Sequence, residues 1–154
     1  MLSEAAVNEI KDIRKRYATA RSCIMPCLYV VQKEYGYITE DGMREIAKIL
    51  GVKPVLVFEV STFYTMYNKK PVGRYHVQVC TNISCSIMNG EHIVDVISRK
   101  LGVKVKETTP DKKFTLSTVE CLGSCGTAPM MQINDKYYEN LNDAKVEEIL
   151  NGLR

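Results

Sequence analysis

Four cysteines fall into two close pairs, Cys80 with Cys85 as C-x4-C and Cys121 with Cys125 as C-x3-C, each just after a segment that reads as a β-strand. Thiolates are ligands for soft metal centres. Loops leaving strand ends are held by the sheet and can turn backbone N–H groups inward. Four thiolates satisfy a [2Fe–2S] cluster, two on each iron, and its negatively charged sulfurs call for hydrogen-bond donors around them. Gly123 and Gly126 flank Cys125 and, lacking a Cβ, let the backbone close on the sulfurs. Ser86 is expected to open a helix directly after Cys85 and aim its positive end at the site. A zinc site takes the same four ligands but favours two residues between paired cysteines, and neither pair here is C-x2-C. The spacing fits two irons better than zinc, with zinc or no metal as open alternatives. His76 and His92 stand alone and offer no mixed Rieske-type ligation, and no C-x-x-C dithiol occurs.

The elements that position these residues follow from periodicity and punctuation. Val7, Ile10, Ile13 and Tyr17 lie on one helical face, predicting a helix over residues 3–17. Ser22 is the expected cap of a second helix, with Pro26 in its first turn and Gly36 at its end. Cys23 and Cys27, four residues apart beside Ile24, Leu28 and Val31, are expected to be plain buried side chains on that helix. Thr39 reads as the cap of a third helix closing at Gly51, and Pro54 opens a fourth that reaches about Tyr64. The run Phe63-Tyr64-Thr65-Met66-Tyr67 fits either core or a partner-facing patch.

After the polar turn from Asn68 to Gly73 the period changes. Tyr75, Val77 and Val79 alternate into Cys80, then Ile93, Val94, Ile97 and Leu101 take helical spacing before Gly102. Phe114 to Glu120 reads as a strand, Met130–Ile133 and Tyr137–Glu139 as a short pair around Asn134-Asp135, and Val146 to Leu150 as a closing helix. The expected architecture is α/β: a helical bundle over residues 1–68, then a layered βα-βββα domain over residues 74–154.

Composition bounds the function. The net charge of +3 arises wholly in the first half, so no nucleic-acid partner is expected, and Arg14-Lys15-Arg16 reads as a solvated helix face. The longest run without a charged side chain goes only from Tyr75 to Gly90, short of the ~20 apolar residues a spanning helix needs, so no direct membrane insertion is expected. Met1-Leu2-Ser3-Glu4 opens no apolar signal region. The expected location is therefore cytoplasmic, where thiols stay reduced and free to serve as ligands. No G-x-G-x-x-G or G-x-x-x-x-G-K phosphate loop occurs.

Taken together, several stretches resemble the family of E-type subunits of NADH-quinone oxidoreductase (respiratory complex I). They are Phe63-Tyr64-Thr65-Met66-Tyr67, Pro71-Val72-Gly73-Arg74-Tyr75-His76, Val79-Cys80-Thr81-Asn82-Ile83-Ser84-Cys85 and Val119 through Pro129. Tyr35-Gly36-Tyr37-Ile38 and Tyr137-Tyr138-Glu139-Asn140-Leu141 extend the likeness over almost the whole chain. The resemblance implies a helical bundle followed by a thioredoxin-like domain holding one [2Fe–2S] cluster on Cys80, Cys85, Cys121 and Cys125. It also raises the expectation of a cis bond at Ala128–Pro129 somewhat above the base rate of ~5 to 6%, without deciding the isomer. It further implies docking to a larger, F-like partner that carries FMN and binds NAD(H), so that this chain accepts electrons and has no catalytic residues of its own. Attachment to the inner membrane would then be peripheral, through the larger complex. The family also includes small subunits of NAD-linked hydrogenases, electron-bifurcating ones among them, and of formate dehydrogenases, which are the alternative parents; a zinc-stabilised adaptor domain is the second alternative. One departure is Asp111-Lys112-Lys113, where lysine stands at an expected turn glycine.

Overall fold

Ser3 and Thr39 act as their types predict. In the computed structural model, which describes residues 1–153, Ser3 Oγ accepts from Ala6 N at 3.2 Å and Thr39 Oγ1 from Gly42 N at 3.0 Å. They start α1 (Glu4–Arg16) and α3 (Glu40–Leu50). Arg154, the last residue of the expected second domain, lies outside the described residues. The chain divides into two compact units, Met1–Pro71 and the residues from Val72 onward.

In the first unit, α2 (Ile24–Tyr35) and α4 (Pro54–Phe63) complete the helices. Ile10, Ile24, Leu28, Ile46 and Val57 are fully buried between them. The expected cap at Ser22 is not found. Arg21–Cys23 form a 3-10 turn that runs straight into α2, and Ser22 N instead donates to Thr19 Oγ1 at 3.2 Å. Thr19 thus supplies the side-chain oxygen expected of Ser22. Cys23 and Cys27 are fully buried, and burial pushes the Cys27 thiol up to about 12. The aromatic run divides: Tyr67 is 1% exposed and Phe63 is 78% exposed.

The second unit starts with β1 (Tyr75–Cys80), followed by α5 (Ile83–Ile87) and α6 (Gly90–Leu101). Then come β2 (Phe114–Val119), β3 (Met131–Ile133), β4 (Lys136–Tyr138) and α7 (Asp143–Gly152). The sheet order is β2-β1-β3-β4, with β1 and β2 parallel and the other pairs antiparallel. Val77, Val79 and Leu116 form its core with Ile93 and Ile97 of α6 and Val146 of α7. Asn134 turns the β3–β4 hairpin at φ 52°. Lys112 takes the left-handed conformation at φ 57° that the sequence suggested for glycine, while Asp111 Oδ1 accepts from Lys113 N at 2.9 Å. The helix expected to open at Ser86 is absent there: Ser86 lies inside the short α5, and the long helix begins four residues later at Gly90. Asn89 at φ 65° breaks the path between the two.

Tyr67 closes the helical core by donating its hydroxyl to Met25 O at 2.9 Å. Tyr67→Phe is expected to cost about 1 kcal/mol because that carbonyl loses a donor. Phe63→Ala, at an exposed ring, is expected to stay within about 0.5 kcal/mol. Urea titrations of the two variants followed by circular dichroism check the difference.

Candidate metal centre

Because β1 and β2 run parallel, the loops that follow them leave the sheet at the same end. Cys80, the last residue of β1, pairs with Val119, the last of β2, and Cys121 follows two residues later. The pairing continues past the strands, with Thr81 N donating to Val119 O at 2.9 Å. Two cysteine pairs far apart in sequence are thereby brought to one edge.

The first pair is enclosed. Cys80 and Cys85 are 3% and 2% exposed and form a small apolar cluster with Met130, against which Leu122 and Ala128 pack. Cys80 N donates to Met130 O at 3.1 Å, and its thiol donates to Glu120 O at 3.1 Å. Burial, and next a hydrogen bond to Cys80, push the Cys85 thiol up to about 11, with the nearby Cys80 and Cys125 thiols adding to the rise against a backbone bond from Met130.

The second pair is exposed, and Cys125 opens a single 3-10 turn, Cys125–Thr127. The sulfurs of Cys121 and Cys125 are 3.8 Å apart. A tetrahedral metal–thiolate centre with bonds of about 2.3 Å has edges of about 3.8 Å, so this pair is spaced as two ligands of one metal. Gly123, at φ 81°, donates its N–H to Cys121 Sγ at 3.4 Å. Among the described residues no three His, Cys, Asp or Glu side chains group as a single ion would need. The four cysteines stand as two pairs at the same end of the sheet.

Other sequence expectations separate here. Gly126 shows no need for glycine, since a Cβ there meets nothing within 4 Å. Ser86 Oγ turns to Thr81 O at 3.4 Å rather than to a thiol. His76 Nε2 bonds Ser117 Oγ at 2.8 Å, with burial lowering its pKa, and His92 Nε2 meets Asp143 Oδ1 at 2.9 Å; neither joins the cysteines. Ala128–Pro129 is cis, and Met130 and Met131 after it are buried.

Two features escaped the sequence reading. The first is a ring of polar contacts around Cys125 from Ser124, Thr127 and Glu139, for which the alternation of Tyr137 and Glu139 along a strand was the available signal. The second is Gly90. A Cβ there would lie 2.8 Å from Cys85 O and 3.0 Å from Cys80 O, so glycine lets α6 pack directly on the backbone of the first pair. Gly90→Ala is expected to destabilise the second unit by about 1 to 3 kcal/mol. Gly126→Ala, with open space around it, is expected to change stability by less than about 0.5 kcal/mol. Denaturant midpoints of the two variants check the contrast.

The thioredoxin-like [2Fe–2S] ferredoxin family model matches residues 10–154. The chain is 45% identical over 146 residues to the second E-type subunit of NADH-quinone oxidoreductase from Rhizobium meliloti (strain 1021), covering 95% of this chain and 87% of that protein. It is 43% identical over 147 residues to the E-type subunit of NADH-quinone oxidoreductase from Rickettsia prowazekii (strain Madrid E), covering 94% and 83%. Its fold is similar to that in an NAD+-reducing [NiFe]-hydrogenase in the H2-reduced state, with a TM-score of 0.74 at 14% identity. That likeness covers 89% of this chain and only 23% of the hydrogenase chain. With two helical and sheet units in the expected order and two thiol pairs at one sheet edge, the chain belongs to the thioredoxin-like [2Fe–2S] ferredoxin family.

Proposed function

We propose that this chain is the electron-carrying subunit of an NADH-oxidising complex. In this reading it passes single electrons between a [2Fe–2S] cluster, held by Cys80, Cys85, Cys121 and Cys125, and FMN in a larger, NADH-binding partner of the F type. The placement of the two thiol pairs on loops that leave the same end of the sheet carries the reading. Two pairs match a centre that takes two thiolates on each of two irons. Bound there, the cluster supplies one-electron carriage without making or breaking a substrate bond. Cys80 and Cys85, packed with Met130, withdraw one side of the site from water. Gly123 N–H offers a donor to the other side, offsetting thiolate charge.

The relatives named as E-type subunits of NADH-quinone oxidoreductase support the parent complex. The lack of a Gly-rich phosphate loop supports placing FMN and NAD(H) in the partner. Residues 1–68 serve as the docking element, a role supported by α4, which is apolar almost all round and leaves Val55, Phe58 and Phe63 exposed. Residues 74–154 then form the cluster domain. Among the described residues no helix is long and apolar enough to cross a membrane, so in this reading any membrane attachment comes through the partner.

Anaerobic purification followed by iron, sulfide and zinc analysis, with EPR before and after dithionite, tests the proposal. The expected result is about two irons and two sulfides per chain and a rhombic signal that appears only on reduction. Zinc with a silent spectrum overturns it. Cys→Ser at Cys80, Cys85, Cys121 or Cys125 is expected to lose or distort the cluster, and Cys23→Ala and Cys27→Ala to leave it intact. A colourless protein from either of the last two sinks the ligand assignment. The purified chain alone is expected to give no NADH-dependent dye reduction.

A further inference from the structure

The Cys121–Cys125 segment has little of its own to hold it, being exposed and ending in one 3-10 turn. Its support comes from β4 and the residues just after it. Tyr137 lies in β4 and Glu139 follows one residue after its end, and both reach the same loop. The Tyr137 hydroxyl donates to Leu122 O at 2.7 Å. Glu139 Oε1 accepts from Ser124 Oγ and, at 2.7 Å, from Thr127 Oγ1, and these two hydroxyls lie 2.8 Å apart. Both donors hold the Glu139 carboxyl below its ordinary pKa, Ser124 most strongly. The backbone repeats the link, with Asn140 N donating to Thr127 O at 2.7 Å. Lys145 Nζ of α7 donates to Glu139 O at 2.6 Å and anchors the carboxylate's own backbone. The residues on both sides of Cys125 and its turn are thus tied to a single carboxylate oxygen.

We propose that Glu139, seconded by Tyr137, is a positioning residue that fixes Cys125 relative to Cys121 for metal binding by clamping the Ser124 and Thr127 hydroxyls. The inference rests on the reading of the four cysteines as cluster ligands. Glu139 touches no thiol and acts only through the loop. The first pair needs no such device, because the core encloses it. For the exposed pair, the clamp supplies what burial does not: a loop conformation fixed in advance, in which the sulfurs stay 3.8 Å apart.

The test compares the full-length chain with Glu139→Ala, Glu139→Gln and Tyr137→Phe. Amide hydrogen exchange is followed before reconstitution with ferrous iron and sulfide, and cluster loss to a chelator afterwards. Glu139→Ala is expected to speed exchange at residues 122–127, leave β1 and α6 unchanged, and raise the rate of cluster loss about tenfold or more. Glu139→Gln keeps an oxygen that accepts from both hydroxyls and is expected to restore most of the protection. Tyr137→Phe is expected to fall between wild type and Glu139→Ala. Unchanged exchange and unchanged cluster loss in Glu139→Ala overturn the proposal while leaving the cluster reading intact. Exchange that rises throughout the unit, with no rescue by Glu139→Gln, makes Glu139 a general stabiliser and also overturns it. A wild-type chain that takes up no iron and sulfide removes both the cluster reading and this role.

Discussion

The parallel pairing of β1 with β2 is the constraint on which the site depends. In an antiparallel pair, the chain leaving one strand and the chain leaving the other emerge at opposite ends, and the two cysteine loops would be separated by the length of the sheet. The parallel register sets Cys80 beside Val119, so both loops start from the same edge. Parallel pairing requires a crossover, which α5 and α6 provide. Gly90 matters for the same reason: the crossover helix begins against the backbone of the loop that it follows, at a distance that only a residue without a Cβ tolerates.

Once gathered, the two pairs are held by different physics. The Cys80–Cys85 pair is held by burial in an apolar cluster, and for Cys85 that burial raises the cost of the charged form. Under the proposed function, coordination of the thiolate by the cluster offsets that cost. The Cys121–Cys125 pair is held by hydrogen bonds from side chains and backbone at the surface. One side of the site is enclosed by the core, and the other is joined to it by Leu122 and to β4 and Glu139 by hydrogen bonds.

The ligand candidates were legible because ligand identity is a local property: thiols in close pairs after strands announce themselves in sequence. Most elements were legible for a similar reason, since caps such as Ser3 and Thr39 and terminators such as Gly36 and Gly51 act within one turn. Ser22 misled because Thr19 lay three residues earlier with an equally good oxygen. α5 was illegible because its pattern is inverted: Ile83 and Ile87 are 72% and 75% exposed while Cys85 between them is buried. Hydrophobic patterning places isoleucines inside, and here the thiol takes that position. Gly90 and Glu139 were missed for a further reason. Their contacts depend on where α6 and β4 settle against the cysteine loops, and the alternation of Tyr137 and Glu139 was the one signal available.

The edge occupied by the thiols bears on the proposed division of labour. In open α/β sheets the carboxyl ends of parallel strands are where nucleotides bind, their phosphates met by a Gly-rich turn and the N-terminus of a long helix. Here the loop after β1 spends that position on Cys80 and Cys85, and the element entered next is the five-residue α5. The loop after β2 carries Cys121 and Cys125 and leads into a three-residue turn. Both carboxyl-end loops are thus given over to thiols and their supports, with neither a glycine-rich turn nor a long helix start offered to a phosphate. An edge built this way suits an inorganic centre, which is consistent with the proposed function, in which flavin and nicotinamide sit in a partner.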